Sequence, residues 1–164
     1  PTMKLKEYNQ CVDLYADRLY LFVYKNLKDS ERAQDIVQDV FEKVWKKVDE
    51  LNYDKIKSYL FTAAYHTMLD VIKKEKRISH FDNEREFEQS HETSYTGLNE
   101  ILEEALETLP EKQRTVVLLR DYEGYSYDEI AEITGLKGSQ VKVYIFRARK
   151  ALQVYLGSIE KVLG

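Results

Sequence analysis

Apolar residues along the first third of the chain recur at helical spacing. Cys11, Val12, Tyr15, Leu19, Phe22 and Val23 lie three and four apart, which predicts an amphipathic helix over residues 5–27. Asp29 or Ser30 offers a side-chain oxygen to cap a second helix, whose stripe is Ala33, Val37, Val40, Val44 and Val48. A third helix is expected over residues 55–77, through Tyr59, Leu60, Ala63, Ala64, Thr67 and Val71. Three such helices make one compact helical domain.

The pattern then fails. SHFDNEREFEQSHETSYTG, residues 79–97, is poor in aliphatics and sets Asp82, Glu84, Glu86, Glu88 and Glu92 against Arg85. Such a stretch cannot bury enough apolar surface to fold and predicts a linker over residues 78–97. Periodicity resumes with Leu98, Ile101, Leu102, Ala105 and Leu106, a helix ended by the Leu109-Pro110 step. Residues 111–121 predict another, carrying Val116, Val117 and Leu119 and broken by Gly124. Ser126 and Glu129 fit a capping box, opening a short helix through Ile130, Ala131 and Ile133 that stops at Gly135. After Leu136 and Lys137 comes a last helix, striped by Val141, Ile145, Ala148 and Leu152.

The chain has only two prolines and six glycines, no internal repeat and few alternating strand patterns. The fold class expected is all-α: two small helical domains, residues 3–77 and 98–164, joined by an acidic flexible linker.

Composition narrows the function. The 164 residues are 43% hydrophobic and 33% charged, enough apolar material for packed cores. A formal charge of -4 argues against coating nucleic acid by bulk charge but leaves room for local basic patches. Cys11 is the single cysteine, so no intramolecular disulfide forms and a reduced, cytoplasmic setting is expected. The start, PTMKLKEYNQ, is too polar for a secretory leader, and no apolar run approaches the roughly 20 residues of a membrane span, so no membrane insertion is expected. His66, His80 and His91 are scattered, no metal-ligand spacing joins them to Cys11, and no Gly-rich phosphate loop occurs. Neither a metal, nor a cofactor, nor an enzyme is expected.

Two short helices, a glycine-containing turn and a last helix with cations outside make a helix-turn-helix pattern. Ala131 must be small where the two helices cross, and Ile130, Leu136, Val141 and Ile145 would close the core. Lys142, Val143, Phe146 and Arg147 must then point away, at the height of a major groove. Between Lys137 and Lys150 there are five cations (Lys137, Lys142, Arg147, Arg149, Lys150) and no acid. Arg and Lys can donate to guanine edges or phosphates, and an apolar side chain can touch a thymine methyl. Ser139 and Gln140 at the helix start suit phosphate contacts.

The first domain carries two further surfaces. Asp35, Gln38, Glu42 and Trp45 fall outside the second helix's core stripe, with Phe41 on its edge. An aromatic pair beside polar acceptors suits a protein partner, although Phe41 and Trp45 could instead fold back onto the first helix. Along the third helix Tyr53, Tyr59, Phe61, Tyr65 and His66 precede Lys73, Lys74, Lys76 and Arg77. Rings beside a basic groove are what unpaired bases require; core aromatics followed by a cationic helix end are the plainer alternative.

The segments AQDIVQDVFEKVW (33–45), LPEKQR (109–114), LRDYEGYSYDEIA (119–131) and FRARKAL (146–152) resemble regions 2 and 4 of bacterial RNA polymerase sigma factors. The short chain, with a linker in place of a middle domain, resembles the extracytoplasmic-function class. The resemblance implies a protein that binds core RNA polymerase, through its beta-prime and beta subunits, directs it to promoter DNA and helps open the duplex. It would place Asp35, Gln38, Phe41, Glu42 and Trp45 near the polymerase clamp helices. Tyr53, Lys57, Tyr59, His66, Lys73, Lys74, Lys76 and Arg77 would meet the -10 element and its unstacked bases. Arg120, Lys137, Ser139, Gln140, Lys142, Val143, Phe146, Arg147 and Arg149 would meet the -35 element. The acidic linker would thread into polymerase and imitate nucleic acid, and an anti-sigma factor is an expected partner.

Two departures from the family pattern bear on promoter choice. His66 stands where many relatives carry Asn, in the stretch that reads a flipped base. Val143-Tyr144 stands where many carry Ser-Arg, which loses a cation and puts apolar contact in place of a hydrogen bond. Residues 100–132 hold ten acids against three bases, so the chain alone should bind DNA weakly and salt-sensitively. Linked sites held on polymerase would supply the affinity. The alternatives are a free-standing helix-turn-helix regulator, for which no dimerising heptad is visible, and a sigma-like decoy for an anti-sigma factor, which would not need the cations of the last helix.

Overall fold

Helix α1 (Leu5–Leu27) ends where Lys28 turns into the left-handed region at φ 57° and its backbone N–H donates to the Tyr24 carbonyl. Asp29 opens α2 (Ser30–Lys46) by accepting from the Arg32 amide at 3.1 Å. After a 3-10 turn at Tyr53–Lys55 comes α3 (Ile56–Ser79). These belong to a computed structural model of the chain, which describes residues 4–79 and 97–163. The expected linker therefore lies, over residues 80–96, outside the described residues. The described residues fall into two compact units, one on each side of that stretch.

In the first unit α1, α2 and α3 pack each against the other two. Cys11, Leu19, Phe22 and Val23 meet Ala33, Ile36, Val40 and Val44 from α2 and Leu60, Phe61, Ala64 and Met68 from α3. The faces are rotated from the stripes expected. In α2 Ile36 and Phe41 are buried while Val37 is half-buried, and Val48, expected on the same stripe, lies half-buried in the turn after the helix; in α3 Phe61, Tyr65 and Met68 replace Tyr59, Ala63, Thr67 and Val71. A helix wedged between two neighbours turns its largest apolar groups inward, since each ring removes more surface from water than a valine does. Phe22 and Phe61 meet edge to face at 5.4 Å. Arg32 and Glu75 form an ion pair between α2 and α3. Burial pushes the Cys11 thiol up to about 11, so it is an inert core group rather than a nucleophile.

The second unit is organised around one long helix. Helices α4 (Leu98–Glu107), α5 (Glu111–Val117) and α6 (Tyr127–Thr134) all pack on α7 (Gly138–Leu163). Leu98, at the start of α4, points outward rather than in. The single helix expected over residues 111–121 is instead α5 running into a π turn, Leu118–Tyr122, where the Glu123 amide donates five residues back to Leu118. The extra residue in that turn lets Val116, Val117, Leu118 and Leu119 all stay buried.

Ser126 and Glu129 form the expected capping box, at 3.1 and 3.0 Å. Gly135 ends α6 at φ 76°, where a side chain would be strained, and donates to the Ala131 carbonyl. Ile130, Ile133, Val141, Ile145 and Ala148 close the core between α6 and α7, with Leu136 half-buried at the turn. Among the described residues no helix is long and apolar enough to cross a membrane.

Candidate nucleic-acid and partner interfaces

With Val141, Ile145 and Ala148 held against the core, the opposite side of α7 is fixed by helical geometry. Lys142, Val143, Phe146, Arg147 and Lys150 are all exposed there, Phe146 at 66% and Val143 at 44%. Exposed apolar side chains are common on protein surfaces; what sets these two apart is that they stand between cations on one helix face.

Not every cation counted on α7 is available. Arg149 lies against Asp121 of the π turn, donating Nε–H at 3.1 Å and a second N–H at 2.5 Å, and that hydrogen bonding holds its guanidinium more firmly protonated than usual. Arg149 is thus a strut between the π turn and α7. Arg120, half-buried in the same turn, donates to the Tyr125 carbonyl at 2.8 Å and lies 4.9 Å over the Tyr127 ring. It joins the π turn to the start of α6. Gln140 turns back to accept from the Lys137 amide at 2.9 Å, so its side-chain oxygen serves the helix start, while Lys137 and Ser139 stay exposed. A concavity of about 690 Å³ runs beside the exposed row, between Tyr127 and the α7 side chains Lys142, Val143, Phe146, Lys150 and Gln153.

In the first unit, Asp35, Gln38, Glu42 and Trp45 share the outer face of α2, and Glu42 pairs with Lys46 at 3.1 Å. Phe41 is different: it is buried, packed edge to face on Tyr8 at 6.4 Å. Tyr8, which no sequence pattern singled out, also meets Trp45 at 5.1 Å and donates its hydroxyl to the Phe41 carbonyl at 3.3 Å. Trp45 keeps 46% of its surface. The outer face therefore presents one aromatic, Trp45, backed by Tyr8, and the expected pair is split between core and surface.

Along α3 the spacing gathers Tyr59, His66, Lys73 and Arg77 on the face opposite the core, with Asp70 among them. Lys74 and Lys76 flank that face. Lys57 does not join it: it lies on the other side, its amine 5.9 Å over the Phe61 ring. Phe61 and Tyr65, offered by sequence as stacking rings, are core residues. Tyr53 precedes the helix, its hydroxyl 3.4 Å from Gln10 of α1.

The chain matches the family model for sigma-70 region 2 over residues 11–78 and that for sigma-70 region 4 over residues 99–152. It is also 32% identical over 149 residues to the RNA polymerase sigma factor SigV of Bacillus subtilis, covering 89% of each chain. The chain belongs to the sigma-70 family. Its relatives include the extracytoplasmic-function (ECF) sigma factor SigW of Bacillus subtilis, 28% identical, with 88% of this chain and 86% of that one covered. The fold of this sigma factor is similar to that of RpoE from Bartonella quintana, solved in complex with the anti-sigma factor NepR. There the TM-score is 0.82 at 27% identity, covering 93% of this chain and 98% of that one. With both sigma-70 regions matched and such relatives, it is a sigma factor of the ECF class.

Proposed function

We propose that this sigma factor binds core RNA polymerase through the outer face of α2 and carries promoter contacts on α3 and α7. The parts are residues 3–77 as the polymerase- and -10-binding domain, 78–97 as the linker and 98–164 as the -35-binding domain. One observation carries the reading: Lys142, Val143, Phe146 and Arg147 stand off the helix-turn-helix core as an exposed row that does not belong to the core of the described residues. Trp45, with Asp35, Gln38 and Glu42 around it, supplies the polymerase contact. Tyr59, His66, Lys73 and Arg77 supply rings and charge for an opened strand. Phe41 acts from the core, by holding Tyr8 beneath Trp45. Arg149 and Arg120 act as struts that fix the reading helix. A regulator of the anti-sigma kind, as seen with the Bartonella relative, would compete for these same faces.

Mixing the chain with bacterial core polymerase, followed by gel filtration and run-off transcription on a pool of genomic promoters, tests the proposal. A stable complex that initiates selectively is expected, while the chain alone selects no promoter. A chain that forms no complex but binds a palindrome unaided would be a free-standing regulator.

A further inference from the structure

The exposed row on α7 is unusual in its middle. Lys142 and Arg147 can donate to base edges or phosphates, but Val143 and Phe146 between them can donate nothing. Both are held outward by the same helix whose Val141 and Ile145 are locked in the core, and both line the concavity beside Tyr127. Neither is a core residue: Phe146 leaves 66% and Val143 44% of its surface in water. In a major groove the one apolar feature that a base pair presents is the 5-methyl group of thymine. Val143 and Phe146 are three residues apart, about 4.5 Å along the helix axis, near the roughly 3.4 Å rise per base pair.

We propose that Val143, with Phe146 beside it, selects thymines at neighbouring base pairs of the upstream promoter element by contact with their 5-methyl groups. Lys142 and Arg147 anchor the helix on either side. The inference rests on the promoter-directing reading above and adds to it which chemical group the α7 face recognises. It assigns Val143 a specificity role that serine at this position, which has no methyl group, would not fill.

The test uses holoenzyme assembled from the full chain and core polymerase. Duplexes randomised across the upstream element are enriched by binding, and the best are resynthesised with deoxyuridine for thymine, one position at a time. That exchange removes a methyl group and leaves base pairing intact. Two neighbouring positions should each lose about fourfold in affinity, the factor expected for one buried methyl. Val143→Ser holoenzyme should lose the sensitivity at one of them and keep it at the other, with an unchanged thermal midpoint. Phe146→Ala should do the reverse. An enriched element without any deoxyuridine-sensitive position, or one whose sensitivity survives Val143→Ser, overturns the proposal and leaves the promoter reading standing. Failure to enrich any sequence removes the promoter reading, and this proposal with it.

Discussion

The two units keep their surfaces apart from their cores in different ways. In the second unit the separation is clean: Val141, Ile145 and Ala148 are buried, while Lys142, Val143, Phe146 and Arg147 on the same helix are exposed. In the first unit the aromatic residues are shared out. Phe41, Phe61 and Tyr65 are in the core, Trp45 is half outside, and Tyr59 lies between. A single long helix against one wall has an inside and an outside. Helices in a three-way bundle have two buried flanks, so a ring at the edge of the stripe can be drawn in. An aromatic residue in the first unit is therefore structural unless its outer neighbours say otherwise, whereas on the outer face of α7 it is left to the solvent.

Phenylalanine truncation at matched positions gives the largest contrast. Phe61→Ala should destabilise the first unit by about 3–5 kcal/mol, the usual cost of emptying a ring-sized core site. Phe41→Ala should fall toward the lower end, because Tyr8 and Trp45 can settle into the space. Phe146→Ala should cost less than about 0.5 kcal/mol and yet reduce selective initiation. Urea unfolding followed by circular dichroism gives the first numbers and run-off transcription the last. A Phe146→Ala protein as unstable as Phe61→Ala would erase the distinction between the units.

Trp45 sharpens the same contrast within one unit. Trp45→Ala loses the contact with Tyr8, worth about 1 kcal/mol, but its exposed half should matter more to core polymerase than to the fold. Titration of labelled chain with core polymerase should show weakened binding by Trp45→Ala at a small cost in stability. Phe41→Ala should weaken binding as well, because it removes the ring that holds Tyr8 beneath Trp45, but by less than Trp45→Ala at a temperature where the unit stays folded.

Much of the second unit was legible in the sequence because its signals are local. A capping serine, a glutamate three residues on and a glycine at the next stop define α6 with no tertiary knowledge, and the run of cations without acids marks the outside of α7. The helix bounds of α1 were equally plain. What could not be read was the phase of α2 and α3, since Val37 against Ile36, or Tyr59 against Phe61, is decided by which neighbours the helix meets. Tyr8 and Asp121 were invisible for the same reason. Each acts through a contact far along the chain, Tyr8 on Phe41 and Trp45, Asp121 on Arg149. Nor does the π turn announce itself, since Leu118–Tyr122 continues an ordinary helical pattern and only Gly124 marks its end.

The local signals carry a moderate, checkable energy. Ser126→Ala removes the acceptor for the Glu129 amide and should cost the second unit about 1 kcal/mol. Because α6 sets the height of α7 through Ile130 and Ile133, the loss should appear first as faster amide exchange along α6. Ser126→Asp, which keeps an acceptor and adds a charge at the positive end of the helix, should recover most of it. Equal destabilisation by both substitutions would mean that the capping oxygen is not what holds this end.

The smallest effect concerns which cations on α7 are free to meet DNA. Arg149 and Asp121 are both partly exposed, and such a pair contributes about 0–1 kcal/mol to stability. Asp121→Asn should therefore hardly move the melting temperature. It would, however, release the guanidinium from its carboxylate and leave one more cation beside Lys142, Arg147 and Lys150. Promoter binding by holoenzyme, measured across a range of salt, should then steepen, with its logarithmic slope more negative by up to about 0.9, the value for one added phosphate contact on duplex DNA. Lys142→Ala should make the slope shallower by a similar amount. If Asp121→Asn leaves the slope unchanged, Arg149 stays a strut even without its partner, and the reading face of α7 is the exposed row alone.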